Sequence, residues 1–307
     1  MTRHPWLAAS VALGTLIGGI AGLPSPAAAT ITFLDNYVGP IAIKFNSLES
    51  FVDMNGNLTT SLAVNDQNFG VFSVSAITAQ AAFGPIMPNQ TIWSPSASNG
   101  NLVGVFDTIK VTRITPTSSP PGFQTGNTGG QFAVYNLPFT SFPDFTQGTN
   151  GYANAGCALN TLCYNTVTNV AGSTSPILTT NLIPGADTPN PTETLQATAS
   201  TTTIPISGSA FGWMDITGGS DAGQFGRMGF TTAIGTLADM SLFDDFCANA
   251  AGCGGQTGPI GNWQQANFDP IGASISTVPE PVSIALLGTA LVGMGFAGRR
   301  RREKEAR

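Results

Sequence analysis

Runs dense in β-branched and aromatic residues recur along this chain, each ended by Gly, Asn or Pro. Val71 to Ile77 and Leu102 to Ile114 are the densest. Pro40 to Phe45 alternates apolar and polar residues, as does Thr30 to Leu34. Gln131 to Leu137, Thr194 to Ile206 and Phe211 to Thr217 follow the same habit. β-Branched and aromatic side chains fit a pleated surface, and Gly, Asn and Pro supply the turns between strands. The spacing predicts many short antiparallel strands, arranged as a sandwich or a barrel. The fold expected is mainly β, an antiparallel β-sandwich or jelly-roll-like body with long loops.

Helical periodicity is scarce. Asp239 to Ala250 is the one candidate, with Met240, Phe243 and Phe246 partly on one face. The segment from Asn68 echoes the segment from Asn101, which suits two adjacent strands of like chemistry better than a repeat. Thr115 to Asn127 and Ser173 to Pro191 are rich in Pro, Ser, Thr and Asn and read as loops. Asn55-Gly56 signals a type I′ hairpin between Phe51-Val52 and Leu58-Thr59.

Only 9% of the 307 residues are charged, against about 25% in an average soluble domain. Hydrophobic residues reach 42%, enough to build a core. Between Thr30 and Val278 the basic residues are Lys44, Lys110, Arg113 and Arg227, against fourteen acids, a net of −10. Such a body releases no phosphate counterions and is expected to bind no nucleic acid. The one histidine is His4. If the N-terminus is removed, no imidazole remains for a triad or for His-based metal sites.

The N-terminus has a short basic start, an apolar run from Trp6 to Leu23 and an Ala27-x-Ala29 site. These are the features of a secretory signal, so residues 1–29 are expected to be cleaved, leaving Thr30 first. At the other end Pro279-Glu280-Pro281 precedes an uncharged stretch, Val282 to Gly298. As a helix the stretch spans roughly 25 Å, slightly short of a hydrocarbon core of about 30 Å. Arg299, Arg300, Arg301 and Arg302 follow, and their long side chains can make up the difference. The expected organisation is therefore a signal peptide at 1–29 and a β-rich secreted body at 30–254. A polar spacer at 255–277 leads to a C-terminal signal at 278–307. Within it lie a transmembrane helix at 282–298 and a basic cytoplasmic tail at 299–307.

The tripeptide, the short Gly-studded apolar helix (Gly288, Gly293, Gly295) and the terminal Arg cluster stand in order. This arrangement resembles the PEP-CTERM sorting signal of Gram-negative bacteria, over about residues 278–307. The resemblance implies that exosortase, a membrane-embedded processing enzyme, reads Pro279, Glu280 and Pro281 and cuts nearby. It also implies passage through the inner membrane and delivery to the cell surface or extracellular matrix. Exopolysaccharide is the partner that setting suggests.

Cys157 and Cys163 are separated by five residues, as are Cys247 and Cys253. An exported chain with four cysteines points to disulfides; three pairings are open, and the two local ones would each close a small loop. Catalytic signatures are few. Asp244-Asp245 is the one adjacent pair of acids, and Asp35, Glu49, Asp215 and Asp221 are equally eligible partners in carboxylate chemistry. Asp53-Met54-Asn55-Gly56-Asn57 departs from a calcium loop, with Gly in the fourth place and Val64 in the twelfth. Gly218 to Gly223 is acidic and flexible, which suits a surface turn rather than a phosphate cradle. Trp93, Trp213 and Trp263, with Tyr37, Tyr135, Tyr152 and Tyr164, could stack on sugars and more often pack in cores. The expectation is an exported, noncatalytic surface or matrix protein, with no catalytic residues, resident metal or cofactor. A carboxylate-based glycan-active enzyme and a calcium-stabilised adhesin are the alternatives.

Overall fold

The computed structural model describes residues 37–59, 62–137, 175–201, 207–226, 229–248 and 265–275. Among them, thirteen strands join one antiparallel sheet. Its main strands are β1 (Gly39–Val52), β3 (Gln67–Ala79), β5 (Asn101–Ser118), β6 (Pro121–Thr128), β7 (Gln131–Leu137), β8 (Leu178–Ile183), β9 (Leu195–Ser200), β10 (Ser207–Gly218), β14 (Met240–Ala248) and β15 (Gln265–Ile275). β2 (Leu58–Thr59), β4 (Thr91–Trp93) and β11 (Phe225–Gly226) are short additions. β12 (Phe230–Thr231) and β13 (Leu237–Ala238) form a separate two-stranded ribbon.

The pairings close on themselves. β6 and β7 both lie antiparallel to β5, on Lys110–Ser118 and Asn101–Asp107 respectively, so together they make one wall. β8 and β9 likewise make one wall, against β7 and β6 on one side and β10 on the other. β10 pairs β14, β14 pairs β15, β15 pairs β1, β1 pairs β3, and β3 pairs β5. The result is a ring of eight walls, each beside its neighbours in the chain.

The mainly β, antiparallel body expected from sequence is present. Its connections differ from a jelly roll, in which strands return across the fold. Here successive walls are adjacent, the up-and-down order, and β1 closes on β15. Long strands explain the outcome. β1 has 14 residues, β3 has 13 and β5 has 18, long enough to bond a neighbour on both sides.

Period-two alternation sends one side chain in two to the interior. Ile41, Ile43 and Phe45 of β1 meet Phe72, Val74 and Ile77 of β3, Met214 of β10, Met240 and Leu242 of β14, and Ile271 and Ala273 of β15 in one buried cluster. At two places the walls come close enough to require glycine. The Phe72 ring lies directly on Gly104, where a Cβ would collide with it. Gly129 joins β6 to β7 at φ 77°, and a Cβ there would stand 2.5 Å from the carbonyl oxygen of Thr108. Thr108 itself has φ 60°, and the two irregularities bend the paired walls together.

Several expectations change. Asp239 to Ala250, expected as a helix, contributes β14. Met240, Leu242, Asp244 and Phe246 are buried at period two, and Phe243 between them is 46% exposed. Thr115 to Asn127 holds the end of β5 and most of β6, because Pro116, Pro120 and Pro121 gather at the hairpin turn and leave the ladder intact. Ser173 to Pro191, expected as a loop, contains β8, and the ring spans both sides of it. The expected spacer at 255–277 supplies Gln265–Ile275 as β15, the strand that closes the ring. The hairpin on Val52 and Leu58 is present, with a different loop. The Asp53 carboxylate accepts from the backbone N–H groups of Asn55 (2.8 Å) and Asn57 (2.9 Å), tying a five-residue turn in place of type I′. The Asn68 and Asn101 segments are neighbours, β3 beside β5.

The signal peptide (1–29) and the transmembrane helix expected at 282–298 lie outside the described residues.

Candidate functional site

The ring has two unlike ends. Gly39 pairs Ile275 at one of them, so both the start of β1 and the finish of β15 are there. Tyr37 is buried at this end, its hydroxyl donating to the carbonyl oxygen of Pro40 at 2.8 Å, and its ring meets Phe83 edge-on at 5.9 Å. Trp93 of β4 is buried with it. An internal space of about 40 Å3 here is lined by Ile43, Ile77, Leu102, Met214, Met240 and other apolar groups, with the Thr180 hydroxyl turned to the Met214 sulfur.

The other end holds the larger cavity, about 70 Å3 of space open to the centres of water molecules, room for several of them. Seven phenylalanines line it: Phe45, Phe51, Phe72, Phe106, Phe123, Phe132 and Phe246. Phe72, Phe132 and Ile271 line both spaces and divide them. The dividing rings touch in sequence. Phe45 meets Phe72 edge-on at 5.9 Å, Phe72 meets Phe132 at 6.3 Å, and Phe132 stacks on Phe106 at 5.4 Å. Space remains above them because the facing wall is small: Ala197 of β9 pairs Ala210 of β10.

Buried polar groups enter this apolar chamber from four walls. Glu49 stands on β1, Asn68 on β3, Thr125 and Asn127 on β6, and Asp244 on β14. All are buried. Asn68 Nδ2 donates to Glu49 Oε2 at 2.8 Å. Asn127 Nδ2 donates to the Leu195 carbonyl oxygen at 3.1 Å and to Thr125 Oγ at 3.2 Å, which locks β6 to β9. Asn68 Oδ1 is buried and accepts no hydrogen bond. Burial pushes the Glu49 carboxyl up to about 7, although the Asn68 amide acts to lower it. Among the described lining residues there is no Lys, Arg or His.

Outside the same wall, Arg113 of β5 holds the excursion between β8 and β9. Its Nε and one Nη each reach the Glu193 carboxylate at 2.9 Å, and Asp187 lies 3.1 Å away. Glu193 raises the Arg113 pKa through the hydrogen bonds and its charge, and Asp187 adds to it.

The structure brings two of the eligible carboxylates, Glu49 and Asp244, into one cavity and leaves the others apart. Asp245, beside Asp244, is exposed, as strand alternation demands. Asp215 is half-buried, and Asp221 is buried in the turn before the short 3-10 helix Ala222–Gln224. Asp35 lies outside the described residues. Of the aromatic candidates, Tyr37 and Trp93 are core, and Trp213 packs against Phe211 (4.7 Å) and Phe230 (5.6 Å). None of these lines the cavity, and Trp263, Tyr152 and Tyr164 lie outside the described residues. The cavity uses Phe, which outnumbers Trp and Tyr in the sequence at 19 against 4 and 4. That abundance is the signal that could have pointed to it. Cys247 of β14 is disulfide-bonded, while Cys157, Cys163 and Cys253 lie outside the described residues. So do the sorting tripeptide, Pro279, Glu280 and Pro281, and the basic cluster, Arg299 to Arg302. Among the described residues no three acidic or sulfur side chains gather at a metal-sized centre.

The chamber is apolar in body and rich in acceptors at its wall, the form of a small-molecule site at a barrel mouth. Comparison with known proteins finds no matching family model, no matching curated protein and no matching solved structure.

Proposed function

We propose that the chain is an exported, noncatalytic protein of the cell surface or extracellular matrix, cut by exosortase near Pro279-Glu280-Pro281. It serves exopolysaccharide, biofilm or floc architecture. The composite C-terminus carries this reading: tripeptide, short apolar stretch and Arg cluster, in that order. The barrel supports it in one respect. β15 finishes at Ile275, at the end of the ring remote from the larger cavity, and Val278 follows within three residues.

Scrambling the tripeptide in the full chain tests the proposal. Mature wild-type material is expected to have lost Arg299 to Arg302 by intact mass, and the scrambled chain to stay in the membrane fraction with its tail attached. Export of the scrambled chain in unchanged amount and size would retire the proposal.

One observation favours a second reading, a glycan-active enzyme. Glu49 and Asp244 share a cavity, and Glu49 keeps its proton to about 7, as a general acid would. Glu49→Gln and Asp244→Asn, assayed on the organism's own matrix polymer, decide it. Turnover by the wild type that either variant loses supports the enzyme; no turnover by the wild type removes it.

A further inference from the structure

We propose that the larger barrel cavity binds a small neutral alcohol, its hydroxyl donating to Asn68 Oδ1 and its apolar chain lying on the phenylalanine floor. This site is independent of the sorting signal and adds a ligand to the reading above.

One atom selects the head of the ligand. Asn68 is only 8% exposed, and its neighbours in register, Phe51 on β1 and Ile109 on β5, line the same chamber. Its Nδ2 donates to Glu49 at 2.8 Å. Its Oδ1 is buried in the lining and receives no hydrogen bond. Buried polar atoms are nearly always satisfied, so this one marks a place for a single donor. Glu49 and Asp244 are both engaged in interactions of their own, so neither is the acceptor offered to a ligand. The amide nitrogens of the lining are committed as well, Asn68 to Glu49, and Asn127 to Leu195 and Thr125. A carbonyl or carboxylate head finds no amide donor there, whereas a hydroxyl needs only the acceptor that Asn68 supplies. The chamber also disfavours charge. The burial that keeps the Glu49 carboxyl neutral up to about 7 penalises an ionised ligand in the same place.

The floor selects the tail. Asn68 and Phe72 stand four residues apart on β3, roughly 13 Å along the strand. Phe72 and Phe132 close the chamber below. Its space of about 70 Å3 takes about five to seven waters, at roughly 10–15 Å3 each. A methylene group is close to a water in size, so an alcohol of about four to six carbons fills it. Water alone would satisfy Oδ1 and leave the phenylalanine rings wet; an alcohol satisfies both surfaces.

Ligand-observed NMR titrations of the full chain with n-pentanol, its isomer butyl methyl ether, pentylammonium and pentanoate test the assignment. The ether has the same atoms and no O–H. Pentanol is expected to bind about fivefold more tightly than the ether, and more tightly than either ion. Asn68→Leu should abolish the difference between alcohol and ether. Ala210→Leu, which fills the chamber, should weaken pentanol at least about tenfold. Asp245→Asn, on the exposed side of β14, should leave it unchanged. Equal binding of alcohol and ether by the wild type, tighter binding of either ion, or no binding of pentanol would overturn the proposal. So would a preference for the alcohol that persists in Asn68→Leu, or pentanol binding that Ala210→Leu leaves undiminished. Should these variants lose their fold by circular dichroism, the four probes on the wild type decide alone.

Discussion

The two halves of the barrel share their walls and differ in what the walls point inward. Toward the end where Gly39 meets Ile275, the interior is mostly Ile, Leu, Val and Met, with Phe225 and the shared Phe72 and Phe132, sealed by Tyr37 and Trp93. Toward the other end, the same strands present seven phenylalanines and then Glu49, Asn68, Asn127 and Asp244. The first half keeps only the smaller space, about 40 Å3, walled by apolar groups. The second keeps space and buries two acids, which no folding requirement asks for. One half therefore provides the stability that lets the other carry groups that cost stability.

The largest expected effect breaks the sealed half. Trp93→Ala removes a fully buried indole and should cost about 3–5 kcal/mol, read from urea denaturation. A loss under about 1 kcal/mol would mean that the seal is not where stability resides.

Next comes pH in the other half. The Glu49 carboxyl titrates at about 7 in the fold, above its ordinary value of 4.5. Its neutral form is the favoured one when folded, so the contribution is complete below 4.5 and is lost as pH rises through about 7. The total is on the order of 3 kcal/mol. Glu49→Gln should flatten the melting temperature across that window while the wild type declines. Parallel curves would show that burial there does not act on this acid.

Outside the wall, Glu193→Ala strips Arg113 of its two-point partner. Glu193 is 4% exposed at its side chain and Arg113 26%. The expected loss is about 2 kcal/mol, with faster amide exchange in β9 and β6. The smallest effect sharpens the comparison most. Ala210→Val adds two methyl groups to the cavity wall and should change stability by less than about 1 kcal/mol, because there is space to receive them. The same addition at Ala273, 0% exposed in the packed cluster, should cost about 1–3 kcal/mol.

Much of the fold is legible in the sequence. β1, β3, β5, β7 and β10 follow runs whose alternation is local and clear. β14 reads as a helix because Met240, Phe243 and Phe246 also fit a helical spacing, and only pairing with β10 and β15 shows that Phe243 points outward. β15 escapes a local reading because its residues are mixed and include Pro270. Its strand form depends on β1, more than two hundred residues earlier, and on β14. The candidate site is legible only in pieces. Glu49 and Asp244 are each eligible, alongside four other acids, and no local pattern chooses between them. Trp and Tyr draw attention for their polar handles, whereas the chamber is built of Phe.

Composition and alternation along the chain determined an antiparallel β protein with an acidic body and no imidazole beyond His4, because those properties follow from residue type and period two. Which acids meet, where space is left and which end is sealed were decided by closure of the ring. Closure is a long-range event: it brings Glu49 and Asp244, nearly two hundred residues apart, onto one interior surface, and local propensity carries no record of it.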